Sequence, residues 1–454
     1  MKKIYTKIAA FAIALAPVTT IAQNLESGFF TDGHLYRHEI NPALENSRNY
    51  VAMPFLGNIN CGMSGNLSLT DVLYKRNGRT VLYTNPQVSV SEVMSGISNR
   101  NRIGSDFKIQ VLGAGFKAWG GYNTIGINIR GNESTIIPKS LFEITKSGLQ
   151  NKTYDISDLN AHAHSYIEIA LGHSRKINEK LRVGGKFKFL LGAGNFDANV
   201  TRGELTLGEN GYVANIDAEL KGNISGLTYK TKLSEHNPGR MIVDGMDVSG
   251  YKISGLGAAF DLGAEYKIND DWKVMASLTD LGFICWKNNM LAATHGTVNT
   301  DDYVFNVDDD AANSFSNEGE RLGDQLATIY ELENKGDQGK RTTMLGATMN
   351  IGGEYVAPFY RKLTFGLLNT TRINGKYSWT NFRLSANVAP IKWFSAGVNF
   401  ACGSFGPSFG WIMDVHPKGF NLFLGMDHTL GKMAKQGIPL SSNAEFSMGI
   451  NFPF

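Results

Sequence analysis

The chain has 454 residues, 51 of them glycine and 11% aromatic, and its 44 Lys and Arg face 41 Asp and Glu. Residues 1–22 hold three lysines and no acidic residue, so the rest of the chain has 41 basic (44 − 3 = 41) and 41 acidic residues. A formal net charge of zero gives no case for nucleic-acid binding. The chain has three cysteines: Cys61, Cys285 and Cys402. An odd number without a CxxC spacing argues against a disulfide framework and a structural zinc site.

Residues 1–22 are typical of a secretory signal peptide. Lys2, Lys3 and Lys7 precede an apolar run from Ile8 to Val18, and small residues end at Ala22. The run is too short for a membrane-spanning helix, and we find no longer apolar run elsewhere in the sequence. We therefore predict an exported mature chain that begins at Gln23.

Residues 23–57 precede the first predicted strand and contain the stretch Asn41-Pro42-Ala43-Leu44. Pro42 favours an extended Asn41, and asparagine favours a turn. The alternative is an ordinary loop turn.

From residue 58 to Phe454, runs of about ten residues alternate between apolar and polar, which is the period of a β-strand. In GGKFKFLLG, for example, Phe187 and Phe189 alternate with Lys186 and Lys188. An apolar face opposite a charged face is expected for a strand between lipid and a polar lumen. The alternative is an array of secreted β-sandwiches. The predicted strands are 58–70, 104–116, 119–130, 161–176, 180–195, 198–208, 211–222, 254–267, 271–283, 341–354, 361–370, 377–389, 392–402, 405–415, 419–428 and 444–454.

Short and long connections alternate between these strands, as expected of an outer-membrane barrel with short periplasmic turns and longer outside loops. The short turns lie at 177–180, 268–271, 357–362, 389–392 and 416–419. The long connections lie at roughly 71–103, 131–160, 223–253 and 286–340. The count is sixteen strands, or fourteen if 198–222 is a hairpin that stands in an outside loop.

A polar stripe is predicted on the strand 161–176. If the isoleucines of this strand face lipid, then His162, His164, Tyr166 and Glu168 line the lumen. Two histidines and a carboxylate could ligate a transition metal, but a hydrated lumen stripe explains them as well. We favour the stripe and predict no metal and no other cofactor.

The 286–340 connection is acidic, with eleven Asp and Glu against four Lys and Arg. Clustered carboxylates such as Asp308, Asp309 and Asp310 could bind calcium, although a solvated loop is favoured. Helical spacing within EGERLGDQLATIYELENK predicts a short amphipathic helix over the outer mouth, and residues 136–149 could form a second.

The last strand places one apolar side chain at every second position: Phe446, Met448, Ile450, Phe452 and Phe454. A closed barrel leaves no open edge, which the hydrocarbon region requires, so this strand is expected to pair with the first. Together with the signal peptide, the terminal aromatic resembles the signal that outer-membrane assembly machinery recognises.

The Asn41-Pro42-Ala43-Leu44 stretch resembles the N-terminal signature of FadL-type fatty-acid transporter barrels and of related Bacteroidetes-type barrels, including PorV-like components. The chain is most similar to an uncharacterised group of these. The resemblance implies a fourteen-stranded barrel whose N-terminal segment, residues 23–57, folds back as a periplasmic plug.

We therefore predict an all-β transmembrane barrel over residues 58–454, in the outer membrane of a Gram-negative bacterium and in contact with its lipid and lipopolysaccharide. The leading functional hypothesis is binding or passage of small hydrophobic compounds. The alternative is a PorV-like partner for a secreted or surface protein. No HExxH or phosphate-binding loop is present, so no enzyme is predicted.

Overall fold

The computed structural model describes residues 25–148, 150–207, 211–299, 315–428 and 443–454. In chain order, its strands are β1 (Tyr50–Ala52), β2 (Ile59–Gly65), β3 (Leu73–Arg76), β4 (Arg79–Leu82), β5 (Arg100–Ala118), β6 (Gly121–Pro138), β7 (Thr153–Asp155), β8 (Asn160–Lys176), β9 (Leu181–Leu207), β10 (Tyr212–Asn223), β11 (Leu227–Leu233), β12 (Met241–Val248), β13 (Gly255–Lys267), β14 (Trp272–Trp286), β15 (Met290–Asn299), β16 (Glu333–Asp337), β17 (Arg341–Met344), β18 (Ala347–Val356), β19 (Leu363–Ile373), β20 (Trp379–Ile391), β21 (Phe394–Gly403), β22 (Gly406–Val415), β23 (Asn421–His428) and β24 (Ala444–Pro453). The helices are α1 (Leu69–Val72), α2 (Val90–Gly96), α3 (Lys139–Ser147) and α4 (Phe315–Tyr330).

Antiparallel pairing closes fourteen of these strand positions into a barrel. Around the wall, the order is β2, β5, β6, β8, β9, β13, β14, β18, β19, β20, β21, β22, β23 and β24, and β24 pairs back onto β2. The short β1 lies in line with β2, because it also pairs with both β24 and β5. The predicted fold class is confirmed with fourteen strands, and the count of sixteen is wrong.

The two-residue period of the sequence separates the two faces of the wall. On β9, Phe187 and Phe189 are exposed on the outside, whereas Lys186 and Lys188 are buried inside. On the last strand, Phe446 and Phe452 point outward and are exposed. The alternation therefore arises from an apolar exterior and a polar interior, as expected for strands of this period.

The connections after β5, β8, β13, β18, β20 and β22 are short and lie at one end of the barrel, which we call the turn end, and the opposite end is the loop end. The turns after β5, β8 and β13 are at residues 119–120, 177–180 and 268–271. At the loop end, α1, α2 and α3 and the β3–β4 hairpin enclose a small apolar core. Its buried members are Leu67, Val88, Val93, Ile97 and Phe142.

The loop end has more structure than the sequence predicted. The segments predicted as two strands, 180–195 and 198–208, are one strand of 27 residues, β9, whose upper part continues beyond the wall and pairs with β10. The predicted long connections 223–253 and 286–340 contain β11, β12, β15 and β16, which extend this sheet. Short strands with weak alternation gave no usable sequence signal there.

Both predicted helices are present as α3 and α4. Asp301, Asp302, Asp308, Asp309 and Asp310 of the acidic segment lie outside the described residues. No helix among the residues that the structure describes is both long and apolar enough to cross a membrane.

Candidate functional site: the plug and its seat

Residues 25–49, which we call the plug, lie inside the barrel. Their apolar side chains are almost all buried, as are many of their polar ones. Phe29, Phe30, Ile40 and Leu44 pack against Met275 and Leu368 of the wall. The plug thus fills the interior towards the turn end, and it leads directly into β1.

The start of the plug is fixed by a buried carboxylate of the wall. Asp427 on β23 accepts hydrogen bonds from the backbone N–H groups of Glu26, at 2.5 Å, and Ser27, at 2.7 Å. Arg383 on β20 lies 2.9 Å from Glu26 and 3.2 Å from Asp427. We call Glu26, Ser27, Arg383 and Asp427 the latch, because these four residues join plug and wall through charge-assisted hydrogen bonds.

A second ionic contact holds the middle of the plug. Lys108 and Lys186 of the wall lie 2.5 Å and 3.4 Å from the carboxylate of Glu39. Burial alone would raise the pKa of Glu39, but the two lysines bring it well below its usual range. Burial, and after it the charge of Lys186, lowers the pKa of the neighbouring His38 to about 3, so this imidazole is neutral. It forms a 3.0 Å hydrogen bond with the hydroxyl of Tyr50.

The predicted plug motif sits on a pair of glycines, Gly184 of β9 and its cross-strand partner Gly263 of β13. Asn41 accepts a 3.0 Å hydrogen bond from the N–H of Ala43 and donates a 3.1 Å hydrogen bond to the carbonyl of Ala264. The backbone comes so close that a Cβ on Gly184 would lie 2.1 Å from the carbonyl oxygen of Pro42. A Cβ on Gly263 would lie 2.0 Å from the side-chain oxygen of Asn41. We call Gly184 and Gly263 the plug seat.

The outer face of the wall carries an apolar groove beside the plug seat. The groove has a volume of about 580 Å³, and the outward-facing Gly185 leaves part of its floor without a side chain. Its apolar walls are Phe116, Trp119, Ile125, Leu171, Phe187, Phe260 and Leu262. Plug motif and groove therefore lie on opposite sides of the same stretch of β9 and β13.

Above the plug, the interior is crossed by a buried ionic network centred on Asp280. A β-bulge in β14 places this residue at a φ of 59°, which is uncommon outside glycine. Its carboxylate lies 2.9 Å from Arg130 and 2.6 Å from Lys188, and Arg130 also contacts Glu168 at 2.8 Å. The interior at this level is held closed by charges, so an apolar molecule does not pass through it as it stands.

The polar stripe of β8 lies on the inner side of the wall. His164, Tyr166 and Glu168 are buried there, while Ile167 on the other face is exposed. His162 is bonded to Asp197 at 2.6 Å and to His164 at 2.8 Å, so both of its ring nitrogens are engaged. Within the described part of the chain, no group of three or more His, Cys, Asp or Glu is arranged to hold a metal ion.

Three small cavities of about 30 to 50 Å³ remain in the interior between the plug and the loop end, and Asp106 lines all three. The plug motif and the stripe were predicted from the sequence. It missed the plug seat, the latch and Asp280. The GG pair at 184–185 was a visible signal for the seat, whereas the latch joins residues about 400 positions apart and left none.

Comparison with known proteins identifies the family. The family model described as "Family of unknown function (DUF5723)" matches residues 42–427, and the chain belongs to this family. None of the curated proteins matches it.

Several solved barrels are similar in fold. A TodX deltaS2S3 mutant monoaromatic hydrocarbon channel has 8% identity and a TM-score of 0.43, and the match covers 91% of this chain and 92% of that one. The Pseudomonas putida toluene transporter TodX has 9% identity and a TM-score of 0.40, with 91% and 90% covered. A Pseudomonas aeruginosa FadL homologue has 9% identity and a TM-score of 0.36, with 96% and 98% covered. Because the identities and TM-scores are this low, the functional proposal rests on the geometry of this chain alone.

The relation to PorV-like barrels and the role in protein assembly stay predictions.

Proposed function

We propose that the protein is an outer-membrane barrel that binds small hydrophobic compounds in its outer groove and passes them across the wall when the plug leaves its seat. The observation that carries this proposal is the position of the groove. It lies on the outside of the same short stretch of β9 and β13 against which Asn41 and Pro42 pack on the inside.

The exterior of the barrel supports a membrane location. Large apolar side chains such as Leu367 and Leu384 are more than half exposed on outward positions, and a soluble protein rarely leaves so extended an apolar surface uncovered. Aromatic residues gather at the turn end, where Trp119 and Phe359 are the most exposed. This is the arrangement expected of an aromatic girdle at a membrane interface.

The groove suits a hydrophobic compound in both size and lining. Its volume of about 580 Å³ is within the usual range for small-molecule sites, roughly 300 to 1,000 Å³. Three phenylalanines and Trp119 contribute to its walls. Burial of apolar surface against them stabilises a ligand by roughly 25 cal/mol per Å².

The polar interior makes the wall, rather than the axis of the barrel, the favourable route. Along the axis, a hydrocarbon would have to displace the ion pairs of Arg130, Lys188 and Asp280, and a buried charge that loses its partner costs several kcal/mol. At the plug seat, the wall is the paired backbone of β9 and β13, with no side chain from Gly184 or Gly263. The plug packs against the wall there, and we infer that its departure lets the two strands part and frees the route.

The test is uptake of a labelled hydrocarbon such as toluene by cells that produce the protein. Gly185→Phe fills the groove from its floor and is expected to reduce uptake towards that of cells without the protein. Gly353→Phe is the matched control, because Gly353 also faces outward and a Cβ there would meet only the Lys273 carbonyl, at 3.9 Å. Uptake that is the same with and without the protein, or reduced equally by both variants, would contradict the proposal.

A further inference from the structure

One of the interior cavities is lined by acids and aromatic rings. It has a volume of about 30 Å³ and lies between the start of the plug and the loop end. Its chemically distinctive lining residues are Glu26, Asp106, His428, Glu445, Trp379 and Phe405. We call it the acidic pocket. Among the described residues, no lysine or arginine lines it.

The charges around the acidic pocket do not balance. Asp427, Glu26 and Asp106 all act on Glu445 electrostatically, and the charge of Arg383 opposes them. Arg383 is already engaged, because it contacts both Glu26 and Asp427 in the latch. Three carboxylates, those of Glu26, Asp427 and Glu445, therefore act on the same guanidinium.

Glu445 is itself incompletely partnered. Its side chain is buried, with the residue only 7% exposed, and its Oε1 atom has no hydrogen-bond partner within the described residues. The nearest basic side chain to it is His428, at 3.9 Å, and the Nδ1 atom of that ring also lacks a partner in the described structure. Buried carboxylates are ordinarily paired and hydrogen-bonded, as Glu39 is by two lysines.

A cation in this pocket would pair with the Glu445 carboxylate, and the residues that line the pocket indicate which kind of cation fits. A metal ion is disfavoured, because the described carboxylates and imidazoles form no group of three or more that could hold one. Trp379 and Phe405 instead line the pocket with aromatic rings, which attract organic cations. The same two aromatic residues line a neighbouring cavity that also has a volume of about 30 Å³, so a substituent of about the size of a methyl group has space beside the pocket.

We propose that the acidic pocket binds the ammonium group of a small organic amine, with Glu445 as the principal carboxylate and Trp379 and Phe405 against its organic part. A cavity of about 30 Å³ holds a group the size of one water molecule, which is also the size of an ammonium head. This site does not depend on the passage of hydrophobic compounds through the wall, and it stands or fails separately.

The experiment is calorimetric titration of the full-length protein in non-ionic detergent at neutral pH with methylamine, and with methanol as its uncharged analogue. We expect methylamine to bind at least about 10-fold more tightly than the alcohol, since a hydrogen bond between charged groups is stronger than one between neutral groups. Equal affinities, or no binding of either compound, would overturn the proposal without any variant.

Glu445→Gln keeps the shape of the side chain and removes its charge, and it is expected to weaken methylamine binding by about 10-fold or more. Glu219→Gln is the control, because Glu219 is paired with Lys221 on β10, outside the pocket. A Glu445→Gln protein that keeps the gel mobility of the folded barrel and the affinity of the wild type would refute the role of Glu445. Complete competition by sodium ions at equal concentration would refute the preference for an organic cation.

Discussion

The plug seat gives the sharpest prediction, because a single methyl group added there would clash with the backbone of the plug. In Gly184→Ala, the new Cβ would lie 2.1 Å from the Pro42 carbonyl oxygen and 2.6 Å from the backbone nitrogen of Ala43. Both are backbone atoms, so no side chain can turn away, and the plug has to move by about 1 Å to reach ordinary van der Waals contact. The strand itself accepts alanine, because Gly184 is not among the residues with positive φ.

The cost of this substitution follows from two terms. Overpacking of a close contact costs about 1 to 3 kcal/mol. Displacement of the motif also stretches the 3.1 Å hydrogen bond from Asn41 to the Ala264 carbonyl, which contributes about 1 kcal/mol. The sum of roughly 2 to 4 kcal/mol corresponds to a shift of about 30- to 1,000-fold from the closed towards the released plug.

Limited proteolysis of the plug in folded barrels measures this shift as faster cleavage. Gly185→Ala is the control one residue away, where the added Cβ meets nothing closer than the Asp261 carbonyl, at 3.7 Å. The reasoning is refuted if the plugs of folded Gly184→Ala and Gly185→Ala barrels are cleaved alike.

Three further predictions concern the charges that hold the plug and the wall. Asp427→Asn removes a buried carboxylate that Arg383 faces, and we expect the latch to weaken by about 3 kcal/mol. The measurement is proteolysis of the plug, which should become faster while the gel mobility of the folded barrel stays unchanged. An unchanged cleavage pattern would argue against the latch. Asp280→Ala should unfold at a lower denaturant concentration than Asp280→Asn. Both variants lose the charge, but alanine at a φ of 59° adds about 1 to 2 kcal/mol of backbone strain. Equal unfolding midpoints for the two variants would exclude this strain. Acidification from about pH 7 to pH 5 should favour plug release by about 2 kcal/mol. The reason is that the pKa of His38 is about 3 in the docked plug and about 6.5 once the side chain is exposed. The docked plug therefore loses stability as the pH falls below 6.5. A His38→Gln protein with the same pH-dependent proteolysis as wild type would show that another group is responsible.

The sequence predicted the wall well because one strong signal repeats. Each strand that lies between an apolar exterior and a polar interior shows the two-residue period, and the predicted 161–176 and 405–415 differ from β8 and β22 by a single residue at one end. The extension at the loop end was missed because its strands are covered on different faces by other strands and by α4, so their residues need not alternate.

The candidate site was predictable only in its local parts. Asn41 and Pro42 carry their turn preference in their own chemistry, so the plug motif was visible. The latch, by contrast, depends on Arg383 and Asp427 meeting Glu26 from the far end of the chain, and Asp280 acquires its role from a bulge that no spacing indicates. Contacts of this kind become apparent only when the register of every intervening strand is known.

The double pairing of β24 joins the closure of the barrel to the plug. The last strand bonds to β1 through Tyr50, Val51 and Ala52, and β1 follows the plug without a linker. The seam of the cylinder is thus made by the residues next to those that occupy its cavity. Movement of residues 25–49 is therefore limited by their covalent continuity with the strand that seals the wall.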